Sequence, residues 1–177
     1  PAELDTLFGP VALFPDAVLA PVLVAATFPL DVVRAGRFLD GAGDLTGAER
    51  AAKAAAEPWN ESVRELAAGF PDLVRRMSEN VDWTEQAGEA VVAQTDESLS
   101  AIQRLRETAR GNGYLVSNET QTIEETNGKI VIAPATPGVV YVPPYDSSVV
   151  YTTPVVGAPV YHHEHDDVVY VDYGWDD

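Results

Sequence analysis

An α+β fold, in which an N-terminal helical bundle precedes a small antiparallel β-sheet and an acidic extended tail, is predicted by three features of this 177-residue sequence. Apolar residues recur at helical spacing through residues 1–113. Asn127-Gly128 then sits between two alternating runs, the strongest short hairpin signal, because a type I′ turn needs two positive φ angles. Finally, the stretch IVIAPATPGVVYVPPYDSSVVY at 130–151 punctuates β-branched and tyrosine runs with Pro and Gly. The change of period near residue 114 divides the chain into a helical bundle (1–113), a small antiparallel β subdomain packed on it (114–153), and an acidic, His-containing tail (154–177).

Within the first part, Asp16 stands where a helix N-cap belongs, ahead of a stripe of Val18, Leu19, Val22 and Leu23. Pro29 occupies a favoured first-turn position for the next helix, whose buried face holds Leu30, Val33, Phe38 and Leu39 and which Gly41 and Gly43 end. Thr46 and Glu49 are spaced as a capping box before an alanine-rich helix. Helices over 60–68 and 72–79 follow, separated by Gly69 and Pro71. The longest helix is expected from Asp82 to about Arg110, with Asp82 and Glu85 as its capping box and Gly111-Asn112-Gly113 as its stop. Strands are expected over 121–125, 129–133 and 139–142, and again at 149–151, with Thr136-Pro137-Gly138 as a turn and 168–173 as a further edge strand. The short echo of Phe14-Pro15-Asp16 in Phe70-Pro71-Asp72 does not recur often enough to make a solenoid.

Charge narrows the partners. With 28 acidic and 11 basic residues the chain carries a formal charge of -17, which repels nucleic-acid phosphates and anionic headgroups. No nucleic-acid partner is expected. Residues 146–177 hold seven acidic residues and no Lys or Arg, as suits a solvated arm. The absence of cysteine removes thiol catalysis, disulfides and cysteine-based zinc sites. The uncharged run 17–30 is too short to span a bilayer and contains Pro21 and Pro29, so it reads as a core helix and no transmembrane segment is expected.

Several segments resemble a bacterial envelope family, the domain of unknown function three thousand three hundred. They are LFPDAVLAPVLVAATFPLDVVRAGRFL (13–39), WNESVREL (59–66), FPDLVRRM (70–77), VDWTEQAGEA (81–90), AIQRLRETARGNGYL (101–115) and the 130–151 stretch. Asn60 and Thr152 stand where that family usually has an acidic residue and a glycine. The resemblance implies an exported protein of the periplasm or envelope whose export signal has been removed, consistent with a chain that starts at Pro1. It implies no reaction.

Three constellations bear on chemistry. The tail YHHEHDD at 161–167 offers His162, His163, His165 and Asp166 to a divalent transition metal such as Zn, Cu or Ni, no other cofactor being expected. On a strand, His163 and His165 would share one face about 7 Å apart; with no fixed geometry the same residues are only a polar arm. Tyr141, Pro143, Pro144, Tyr145 and Tyr151 form a surface suited to an envelope protein or a cell-wall glycan, unless the tyrosines pack inward. Paired carboxylates among Asp16, Asp31, Asp72, Asp82 and Asp146 could cleave a wall polymer, although Asp16, Asp72 and Asp82 are explained as helix caps. Arg37 is expected to tie its helix to Asp40 or Asp72. The leading reading is a non-enzymatic envelope interaction or structural protein acting through a Tyr/Pro-rich sheet. A periplasmic metal-binding protein is the alternative, and a cell-wall hydrolase comes third.

Overall fold

The computed structural model describes residues 1–154. Among them the order is α1 (Ala2–Phe8), α2 (Asp16–Ala26), α3 (Pro29–Asp40), α4 (Gly47–Ala55), α5 (Glu61–Gly69), α6 (Pro71–Glu79), α7 (Val81–Ala93), α8 (Thr95–Gly111), β1 (Gln121–Thr126), β2 (Lys129–Pro134) and α9 (Ser147–Val150). The expected α+β class is what the chain adopts. Its contacts separate into two compact units, Pro1–Leu19 with the chain from Asp96 onward, and Ala20–Thr95.

The Ala20–Thr95 unit is helical and turns on single residues. Phe28 (φ -123°, ψ 61°) precedes α3, Phe70 (φ -134°, ψ 62°) joins α5 to α6, Asn80 (φ -108°, ψ 56°) joins α6 to α7, and Gln94 (φ -138°, ψ 58°) closes α7. Pro29 and Pro71 explain the first two, since a residue before proline is driven out of the α region while proline itself fits the first helical turn. The run 17–30 thus becomes a helix and a 110° corner, and no single helix among the described residues is long and apolar enough to cross a membrane. Val32, Leu39, Val63, Leu66, Leu73, Val74 and Met77 are buried, and Phe38 meets the buried Trp59 edge-on with ring centroids 5.4 Å apart. Leu30, expected on the buried face of α3, is instead 60% exposed.

Caps divide into those the pattern places correctly and those it does not. Thr46 and Glu49 form the complete capping box, and the Thr46 N–H holds the Glu49 carboxyl below its usual range. Asp16, Asp72 and Asp82 cap nothing. Each lies inside the first turn of its helix, where the helix dipole still favours a carboxylate, while Phe70 and Asn80 occupy the cap positions of α6 and α7. The helix expected over 82–110 is two helices. Gln94 donates back to Ala90 O at 2.8 Å, and Asp96 and Glu97 supply the acidic first turn of a new one.

In the other unit, β1 and β2 pair antiparallel from Gln121↔Pro134 to Thr126↔Lys129. Asn127 (φ 52°) and Gly128 (φ 72°) make the positive-φ turn between them. Among the described residues the sheet stops at two strands. Residues 139–142 form no strand; Val139 N bonds back to Thr136 O at 3.2 Å, and Pro143 and Pro144 just beyond offer no N–H with which a ladder could continue. The strand expected at 149–151 is instead the last turn of α9, fixed by Asp146, whose side chain accepts from Ser148 N at 2.8 Å. The Tyr/Pro segment is therefore not part of a sheet. The edge strand expected at 168–173 lies outside the described residues.

Candidate functional site

Residues 9–14, between α1 and α2, fold as tight turns whose buried carbonyls the helices cannot satisfy. Side chains do so instead. Tyr145 Oη and Tyr151 Oη both donate to Gly9 O at 2.7 Å. Arg106, only 1% exposed, donates through Nε to Ala12 O (2.8 Å), through Nη2 to Phe14 O (3.0 Å) and through Nη1 to Ile130 O of β2 (2.8 Å). Its charge is met by Asp16 Oδ1 at 2.6 Å, on a carboxylate that is 45% exposed. Gln103 adds a reciprocal pair of bonds to the Ile130 backbone at 2.8 and 3.2 Å. One buried guanidinium thus joins the turn segment, α8 and β2.

The segment held this way presents Leu13. Its N–H faces Tyr145 Oη at 3.4 Å, and its side chain packs with Ala109, Leu115, Ile130, Ile132 and Val150. Against this floor lies a pocket of about 210 Å³, lined by Leu13, Tyr114, Leu115, Gln121, Pro143, Pro144, Tyr145, Asp146, Val149 and Val150. The walls follow from local chemistry. Pro143-Pro144 keeps the backbone extended, Tyr145 is pinned by its hydroxyl and stands edge-on to Phe14 (6.3 Å) and Tyr151 (6.5 Å), and the Asp146 cap turns the chain so that Val149 and Val150 close one side. Asp146 and Val149 are exposed at the rim. Burial pushes the Tyr151 phenol above its ordinary value, against smaller opposing effects of Tyr145 and the Arg106 charge, so it stays a neutral donor.

Of the residues proposed for partner contact, Pro143, Pro144 and Tyr145 line this pocket. Tyr151 packs behind it, and Tyr141 is 44% exposed away from the lining. Leu13, Leu115 and Gln121 were not foreseen, since only the tertiary fold brings them beside 143–150. Arg106 had a readable signal: with Ser98, Ala101, Ile102, Leu105 and Ala109 it completes the buried stripe of α8, where a charge is anomalous.

Four of the five candidate carboxylates are occupied structurally, and Asp82 lies in the first turn of α7. Asp16 pairs with Arg106, Asp31 accepts from Asn60 N at 2.9 Å, Asp72 pairs with Arg75 at 2.9 Å, and Asp146 caps α9. The bond expected of Arg37 belongs to Arg75, which also donates to Leu39 O at 3.2 Å and lies 3.9 Å from Asp40. Among the described residues, no group of three or more potential ligands is placed to hold a metal ion. His162, His163, His165 and Asp166 lie outside the described residues.

Fold and site together define an α+β module in which a buried arginine braces a small apolar pocket. The chain belongs to the family described as a protein of unknown function, DUF3300, which it matches over residues 1–176. Over 131 residues, 73% of this chain, it is 37% identical to the uncharacterized protein YacH of Escherichia coli (strain K12). That match covers 21% of YacH, so the chain spans about a fifth of that relative's length. No solved structure matches.

Proposed function

We propose that this protein is a non-enzymatic interaction module of the bacterial envelope, and that its pocket accepts an extended, apolar, proline-containing segment of a partner protein. The observation that carries this reading is the pocket's size and lining. At about 210 Å³ it falls below the roughly 300–1,000 Å³ of small-molecule sites, and it suits one or two anchoring side chains. Tyr114 and Tyr145 in the lining are what this pocket shares with the aromatic-lined grooves that take preformed polyproline-type segments at low entropic cost. A glycan fits less well, because Tyr145 and Tyr151 commit their hydroxyls to Gly9 and turn edges to each other, leaving no broad stacking platform.

The test is a titration of an uncharged, proline-rich decapeptide into isotope-labelled protein, following the methyl resonances of Leu13, Leu115, Val149 and Val150. Saturable shifts at these four, weakened at least tenfold by Val149→Asp on the exposed rim, support the pocket. Shifts elsewhere, or shifts produced instead by a chitin-type oligosaccharide around Tyr141, overturn it. Envelope residence is checked separately by fractionating cells that express the complete natural gene product.

A second reading rests on the sequence YHHEHDD, whose three imidazoles suit Zn, Cu or Ni. Calorimetric titration of each metal into the wild-type chain and a His162→Ala/His163→Ala/His165→Ala variant tests it. Micromolar one-site binding lost in the variant supports a metal-handling role, and heat without defined stoichiometry removes it.

A further inference from the structure

We infer that the pocket's first occupant is the chain's own segment 155–161, Val-Val-Gly-Ala-Pro-Val-Tyr, so that an outside partner binds by displacing a built-in competitor. This rests on the reading of the pocket as a peptide site. Three observations support it. The described chain ends at Pro154, four residues after Val150, which itself lines the pocket. The next seven residues carry no charge and supply three valines, a proline and a tyrosine, whereas acidic residues resume only at Glu164. An apolar rim that already bears Asp146 accepts this neutral run and disfavours the acidic one beyond it.

Reach and tethering favour occupation in cis. An extended chain covers about 3.3 Å per residue, so seven residues span roughly 20 Å, more than the width of so small a pocket. A tether this short also raises the local concentration of the segment to the order of millimolar. Even a contact too weak to form between separate molecules is then substantially populated. A partner must therefore bind the pocket more tightly than the tethered segment does, which makes the pocket selective without further contacts.

Two measurements on the full-length chain test this. The first compares the affinity of a synthetic Val-Val-Gly-Ala-Pro-Val-Tyr peptide for the wild type and for Val156→Asp/Val160→Asp, changes outside the described residues. Removal of the internal competitor is expected to tighten peptide binding severalfold. Equal affinity overturns the cis occupant and leaves the pocket reading standing, while no binding to either protein removes both. The second uses the absence of native cysteine. A nitroxide at Val160→Cys is expected to broaden the methyl signals of Leu13, Leu115, Val149 and Val150 far more than one at Asp176→Cys. Equal effects from both positions overturn the inference. So does broadening that appears only on mixing spin-labelled with isotope-labelled chains, which would assign the segment to the pocket of a second copy.

Discussion

Arg106 illustrates how a single side chain can be worth more through hydrogen bonds than through its charge. Ala12, Phe14 and Ile130 all direct buried carbonyls at it, Ile130 O being shared with Gln103, whereas Asp16 is 45% exposed and regains water if the pair is broken. Arg106→Met should therefore lose about 3–5 kcal/mol, the usual consequence of leaving buried partners unmet. Asp16→Asn should lose no more than about 1 kcal/mol. Urea denaturation of both variants separates the cases, and equal losses would show that the ion pair dominates. The Tyr151 phenol adds a pH dependence. Burial raises its pKa above the ordinary 10.0, so between the two values the folded chain keeps a proton that the unfolded chain has released. Its contribution is full below about pH 10 and declines above it. Tyr151→Phe should cost about 1 kcal/mol at neutral pH, since Tyr145 still bonds Gly9 O, and should show a shallower alkaline loss of urea midpoint.

Helix spacing is set where backbones come together. A Cβ on Gly88 of α7 would overlap the carbonyl of Ala26, and one on Gly36 of α3 would overlap the Ser78 side chain of α6. Glycine costs a helix roughly 1 kcal/mol relative to alanine, so its presence at these buried positions is explained by approach distance. Gly88→Ala should destabilise by about 1–3 kcal/mol, because a backbone carbonyl has nowhere to go. Gly36→Ala should be largely rescued by Ser78→Gly, which thermal melts of the single and double variants would reveal. Such approaches are invisible in a single sequence, where Gly36 and Gly88 read as weak points of helices. Local signals fared better. The Thr46/Glu49 box, the Pro29 helix start and the Asn127-Gly128 turn were legible because each is complete within four residues. The break at Asn80 was legible as the gap between 79 and Asp82, but the joint at Gln94 was not, since no proline follows it and the apolar stripe runs on past it. The pocket was half legible. Its Pro143-Pro144-Tyr145 wall is contiguous in sequence, but its floor combines Leu115 and the buried face of β2 with Leu13, which lies on a turn segment that Arg106, Tyr145 and Tyr151 hold in place.

At the scale of the whole chain the governing quantity is charge. Six of the 28 acidic residues and none of the 11 basic ones lie in 155–177, leaving -11 of the -17 on residues 1–154. Folding concentrates that charge, so self-repulsion opposes the compact state. The ion pairs that run the other way are mostly exposed, as with Arg104–Asp5 at 2.6 Å and Arg110–Glu125 at 3.0 Å. Pairs of that kind contribute only about 0–1 kcal/mol each. Salt screens attraction and repulsion together, shortening the Debye length from roughly 30 Å at 0.01 M to about 10 Å at 0.1 M. Repulsion has the longer range and many more members, so its loss should prevail. The melting temperature is accordingly expected to rise by several degrees between 10 and 300 mM NaCl, before sulfate-type exclusion effects apply. Replacing the six acidic residues of 155–177 with Asn and Gln should leave most of that rise intact, because the larger share of the charge lies on residues 1–154. A melting temperature that falls with salt would mean that the exposed pairs outweigh the net charge. A rise abolished by the tail substitutions would mean that residues 155–177 lie close enough to the folded units for their charge to bear on stability.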